Sequence, residues 1–193
     1  MNHEVEQSVE HRVVSDRAPT GHWIVDPVGS QVNFRARTFL GALPVSGIFD
    51  AFEGALDVDL EGVVAGRLIV AAASLQTGIE RRDQQLRSAE FLDARTHPQI
   101  VFTVASIGPL AEPEMRISEE ERMTVSGELE LAGRTLALAL PATVILHGDH
   151  VHIEGRARLD HDAAGFGWRR PGLIGKAVRI DVALTLRPAA SSA

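Results

Sequence analysis

The chain has 193 residues, 45% of them hydrophobic, and a formal net charge of −7, the profile of one globular domain long enough to bury a core. It contains no cysteine, which excludes disulfides, thiolate zinc sites and cysteine nucleophiles. The acidic balance argues against a nucleic-acid partner, because neutralising phosphates takes clustered lysine and arginine.

Residues 1–20 are polar and charged and read as a flexible tail, as do residues 189–193; a single domain is expected over 21–188. The N-terminus lacks a basic region followed by an apolar one, so no secretory signal is expected and a cytoplasmic location follows. The most apolar stretches are about ten residues or fewer, too short for a membrane-spanning helix.

The first clear element is "SQVNFRAR": Val32, Phe34 and Ala36 share one face, and Asn33, Arg35 and Arg37 the other, the pattern of a half-buried strand. "RLIVAAASL" follows, apolar on both faces, with a buried helix as the competing reading. Residues 81–93, "RRDQQLRSAEFLD", read as a short helix. Asp83 and Arg87 stand at i,i+4, Leu86, Ala89 and Leu92 form a narrow apolar stripe, and Pro98 stops the helix before the next strand. A lone helix in a β pattern suits a plug over the end of a barrel; a catalytic insert or an anion site are the alternatives.

"QIVFTVASI" and "RTLALALPATVIL" read as strands apolar on both faces, and "EPEMRISEEER" between them as an acidic loop. "TVSGELELAG", "HVHIEGRARLD" and "AVRIDVALTLRP" alternate cleanly. Gly62, Gly66, Gly108-Pro109, Ala132-Gly133 and Gly148-Asp149 supply turn signals. About eight short-linked strands predict an all-β antiparallel barrel or sandwich. The outer faces of the doubly apolar strands make a homodimer an expectation.

Several stretches together resemble the YceI-like family of lipocalin-like, polyisoprenoid-binding proteins. They are "WIVDPVGSQVNF" at 23–34, "VSGIFDAFEGALDVD" at 45–59, "AAASLQTGIERRDQQLRSAEFLDARTHPQIVFTVASI" at 71–107, "VSGELELAGRTLALAL" at 125–140, "LDHDAAGFGW" at 159–168 and "IGKAVRIDVALTL" at 174–186. The resemblance covers about residues 22–187, its most specific part being the central Arg-Asp, Leu-Arg-Ser, Phe-Leu-Asp, His-Pro block. It implies an extended eight-stranded antiparallel lipocalin-like barrel with one short helix between strands, binding a long isoprenoid or related amphipathic lipid inside. The chain departs from the family's usual pattern at Gly29-Ser30, Thr38 and His161, where histidine, histidine and arginine are usual.

An eight-stranded barrel either fills its interior with side chains or holds one ligand. Ala36, Gly127, Gly155 and Ala157 are small residues on apolar faces, which leaves room for a ligand unless the glycines mark bulges. The tunnel candidates are therefore Phe34, Ala36, Phe102, Val104, Gly127, Leu129, Ile153, Gly155, Ala157, Val182 and Leu184. Arg82, Arg87, Trp168 and Arg169 are candidates for a lipid head group, since the planar guanidinium suits phosphate oxygens. His147, His150 and His152 cluster around a hairpin but read as exposed histidines, and no metal or cofactor is expected. Ser74, Ser88 and Ser106 sit in no nucleophile motif, so the expected role is non-enzymatic: a lipid carrier, store or scavenger. The rivals are an enzyme acting on a bound lipid or small molecule, and a filled structural barrel.

Overall fold

The computed structural model describes residues 20–38, 43–60, 64–109, 120–160 and 177–190. Its elements are β1 (Gly21–Thr38), β2 (Leu43–Phe49), β3 (Phe52–Val58), β4 (Val64–Ala71), β5 (Leu75–Gln76), α1 (Glu80–Arg87), β6 (Gln99–Pro109), β7 (Glu120–Leu131), β8 (Arg134–His147), β9 (His150–Asp160) and β10 (Ala177–Pro188). The hydrogen-bonded order is β10-β9-β8-β7-β6-β4-β3-β1, and β1 pairs again with β10. The sheet thus closes as an eight-stranded antiparallel barrel, and the expected fold class holds.

Ten segments make eight ribs because two ribs are broken. β1 runs against β2 from Val32↔Phe49 to Thr38↔Leu43 and against β3 from Gly21↔Val58 to Ile24↔Ala55, so 43–58 is one rib interrupted at Asp50-Ala51. β4 and β5 form a second such rib, broken by a 3-10 turn at Ala72–Ser74. The Ala71 N–H donates to the Ala51 carbonyl at 2.9 Å, and the Asp50 N–H reaches the Ser74 carbonyl at 3.5 Å, tying the two breaks together. "RLIVAAASL" is therefore strand as far as Ala71, and its helical tendency is spent in one turn that buries Ala72 completely.

Alternation orients the ribs. In β9, Ala157 and Leu159 are buried while Arg156, Arg158 and Asp160 are exposed. In β7, Met123, Val125, Leu129 and Leu131 are buried. β7 begins at Glu120, so the end of the stretch expected to be loop is strand; residues 110–119 lie outside the described residues, as do 1–19 and 191–193, and Ala189, in the expected C-terminal tail, donates its N–H to the His22 carbonyl at 2.8 Å. Gly66, read as a turn signal, sits within β4 opposite Leu56 and Val104. At Ala132-Gly133 both residues have positive φ, 47° and 73°, the geometry a two-residue hairpin needs to match strand twist. Of the outward positions of β8, Thr135, Ala137 and Ala139 are exposed but small, and Ile145 is large and half-buried.

Two core clusters occupy the two ends of the barrel. At one end Phe34, Val45, Leu75, Leu92, Leu129, Leu131 and Leu159 pack together with half-buried Leu86 from α1. At the other, Trp23, Val25, Val58, Val64 and Leu186 pack from the strands themselves.

Candidate functional site

Between the clusters, the inward side chains of the ribs enclose an apolar cavity of about 240 Å³. Its wall runs from Val25, Ile107 and Leu186 near one end to Leu86, Phe91 and Leu92 at the other. The wall is hydrocarbon almost throughout; the one charged residue bordering it among the described residues, Arg67, is exposed. Ten of the eleven tunnel candidates line it: Phe34, Ala36, Phe102, Val104, Leu129, Ile153, Gly155, Ala157, Val182 and Leu184.

Gly127 is the exception, and the reason is steric. It pairs with Val104 where the β6–β7 register shifts before Ser106, and a Cβ built on it would lie 2.1 Å from the Thr103 carbonyl oxygen. It is small because two backbones approach closely at a bulge, not because a ligand needs room. Gly155 does face the cavity. A Cβ there would lie 2.6 Å from a methyl of Leu140, a flexible tip rather than backbone. Sequence reasoning missed Leu138 and Leu140 on the wall. The Leu/Ala alternation of "LALAL" carried the signal for both, since the larger residue of each pair points inward.

α1 closes one end, but differently from the expected stripe. The helix stops at Arg87 rather than 93, and residues 88–96 wind through turns, with Asp93 at φ 45°. Those turns bring Phe91 and Leu92 inward and leave Ala89 exposed, so the plug is Leu86, Phe91 and Leu92. The expected Asp83–Arg87 pair does not form. Asp83, only 4% exposed, accepts from the Thr77 N–H at 2.9 Å and from the Thr77 hydroxyl.

Two of the head-group candidates, Arg82 and Arg87, bond to the segment that precedes the helix. Arg82 donates from Nε to the Thr77 hydroxyl at 2.7 Å and from Nη2 to the Thr77 carbonyl at 2.9 Å. Arg87 donates from Nη2 to the Leu75 carbonyl at 2.5 Å. Both side chains latch the helix to the end of β5, because a turn this tight leaves carbonyls that need donors, and the buried Arg87 Nε has no partner among the described residues. Trp168, Arg169 and His161 lie outside the described residues.

At Gly29-Ser30 the chain makes a bulge between the two halves of β1. Buried Ser30 donates to the Asp26 carbonyl at 2.6 Å and accepts from the Thr185 N–H at 2.9 Å, so this departure serves the backbone. His147 and His150 do face each other across the β8–β9 hairpin. His150 meets Asp149 at 2.5 Å, His152 lies beside Thr185 and Glu154, and no group of three metal-ligating side chains assembles among the described residues.

A closed antiparallel barrel with a hydrocarbon interior and a helical plug defines the class: a lipocalin-like β-barrel protein with an internal apolar chamber. Residues 23–186 match the YceI-like domain, and the chain belongs to that family. Protein YceI of Escherichia coli O157:H7 is 32% identical over 120 residues, covering 61% of this chain and 58% of that protein; YceI of Salmonella arizonae matches to the same extent. The aligned region thus spans less than two thirds of these curated relatives. Among solved structures, Burkholderia cenocepacia BcnA superposes with a TM-score of 0.71 at 22% identity, over 83% of this chain and 98% of its own. A polyisoprenoid binding domain from Saccharophagus degradans superposes with a TM-score of 0.68 at 18% identity, over 86% and 98%. At these identities the superpositions establish the shared fold.

Proposed function

We propose that the protein binds the apolar chain of an isoprenoid or related amphipathic lipid inside the barrel, without chemically altering it, as a carrier, store or scavenger. The observation that carries this reading is the continuous hydrocarbon wall along the barrel axis. Such a wall offers desolvation, roughly 0.8 kcal/mol per buried CH₂ before ordering costs. Among the described residues it presents no carboxylate, imidazole or hydroxyl to act as acid, base or nucleophile, which supports binding over catalysis. Family membership and the Saccharophagus domain's own description favour an isoprenoid as the ligand class.

The cavity's size bears on chain length. An apolar cavity of ~150 Å³ takes a benzene ring. On that scale the 240 Å³ seen here encloses roughly ten carbons, about two isoprene units. A longer chain is accommodated by swinging the Leu140 tip beside Gly155 and by displacing the plug. The test is mass spectrometry of lipid extracted from purified protein. One prenyl or acyl lipid per chain is expected; protein that carries none, and takes up none from added prenyl alcohol, overturns the proposal in favour of a filled structural barrel.

A further inference from the structure

The outer surface at the α1 end carries an arrangement that the tunnel does not use. Arg35 on β1 lies directly opposite Arg179 on β10, which lies directly opposite Arg158 on β9. One pair along, Asn33, Asp181 and Arg156 form the next row. Like charges directly opposite each other on adjacent strands are destabilising, so three arginines in one row work against the fold. Asp181 is the carboxylate inside the block; it binds Arg156 at 2.7 Å and reaches Arg35 at 3.8 Å. Arg158 and Arg179 are exposed and form no ion pair among the described residues. Glu154 and Asp160 stand at the block's two edges on β9. This concentration of positive charge sits on a chain whose net charge is −7.

Exposed apolar side chains border the block. Ile48, 47% exposed, pairs with Asn33 and so extends the second row onto β2. Leu43 at the start of β2, 56% exposed, stands at the barrel rim on the side of its register partner Thr38. The inward neighbours of the arginines, Phe34, Leu159 and Val178, belong to the same cluster as Leu86 and Leu92, which places the block around the plugged end of the barrel.

We propose that this face docks the protein on an anionic lipid bilayer, with Arg35, Arg156, Arg158 and Arg179 on lipid phosphates and Ile48 entering the interface. Basic residues at a bilayer surface draw on its negative potential, and neighbouring apolar residues insert at the head-group boundary. A soluble polyanion would use the arginines and leave the apolar residues in water, and a long nucleic acid would meet the net negative charge of the remainder. The inference deepens the lipid-binding reading and rests on it for the choice of a bilayer. Docking is measured apart from tunnel occupancy, so each can fail alone.

The experiment is co-sedimentation of the full chain with vesicles of phosphatidylcholine alone and of phosphatidylcholine with phosphatidylglycerol. Binding is expected to the mixed vesicles only and to weaken as salt is raised. The double variant Arg158→Gln/Arg179→Gln is expected to bind about 30-fold more weakly with no loss of melting temperature. Ile48→Ser is expected to lose the binding that survives in high salt. Arg187→Gln, at the opposite end, is expected to bind like the parent. Absence of binding, equal binding to both vesicles, or an unchanged affinity in the double variant overturns the proposal. So does retention on heparin without vesicle binding, which would assign the block to a soluble polyanion.

Discussion

Among the described residues, the two ends of the barrel are packed by different means. At the Trp23 end, the closing side chains Trp23, Val25, Val58, Val64 and Leu186 all come from strands whose backbones are committed to the ladder. At the α1 end, Leu86, Phe91 and Leu92 come from a segment outside the ladder, held by side-chain bonds from Arg82, Asp83 and Arg87 to Thr77 and Leu75. Opening the first end means unzipping strands. Opening the second means withdrawing three apolar side chains and breaking a few charge-assisted bonds, an event of local rather than global free energy. On the proposed function the plug is the easier end for a chain-shaped ligand to enter, and the arginine block lies to one side of it, on β1, β10 and β9.

This comparison can be broken most directly at Trp23. Trp23→Ala is expected to cost about 3–5 kcal/mol in a denaturant titration, because a ring 5% exposed is removed from a cluster the ladder holds rigid. Leu92→Ala removes a plug residue 8% exposed and is expected to cost about 2–3 kcal/mol, since an off-ladder segment can settle into part of the cavity. It is also expected to speed lipid uptake in a stopped-flow fluorescence assay. If Leu92→Ala costs as much as Trp23→Ala and slows uptake, the ends do not differ as argued.

Asp83→Ala sharpens the account of the latch. It strands the Thr77 N–H and hydroxyl and is expected to cost about 1–3 kcal/mol. Asp83→Asn keeps an acceptor at Oδ1 and is expected to cost less; equal losses for the two, read from unfolding midpoints, would mean that charge rather than geometry holds the segment. The smallest stability effect is expected for Ala157→Phe, which fills the space between the ends. Ala157 faces the cavity, so the ring is expected to leave the unfolding midpoint nearly unchanged while lipid content in the mass spectrum falls to background. A loss of roughly 1–3 kcal/mol would show a packed interior instead.

Alternation was the part of the fold most legible in the chain. A period of two assigns each residue of β9, β10 and the second half of β1 to a face whatever its partners are, so Phe34, Ala157 and Leu184 could be placed inward from local pattern alone; the bulge in β1 switches the inward parity between Val25 and Val32. The reading faltered where a residue is small for a reason held by another strand. Gly127 and Gly155 look alike in sequence, yet one lies against a neighbouring carbonyl and the other beside a movable methyl. The bonds of Arg82 and Arg87 were likewise not legible, because the carbonyls they reach lie at the end of β5, which is placed by its long-range pairing with β2.

Composition, alternation and turn spacing were enough to determine an all-β antiparallel domain with an apolar face on every clean strand. They also determined that a polar-faced helical segment interrupts it, because these properties depend on neighbours within a few residues. Barrel closure was decided only when β1 found β10, some 150 residues apart in the chain. So were the breaks that turn ten segments into eight ribs, the lateral row of Arg35, Arg179 and Arg158, and the length of chamber left between the two ends. Each of these depends on which strand lies beside which, and inter-strand register is a long-range contact that no local period encodes.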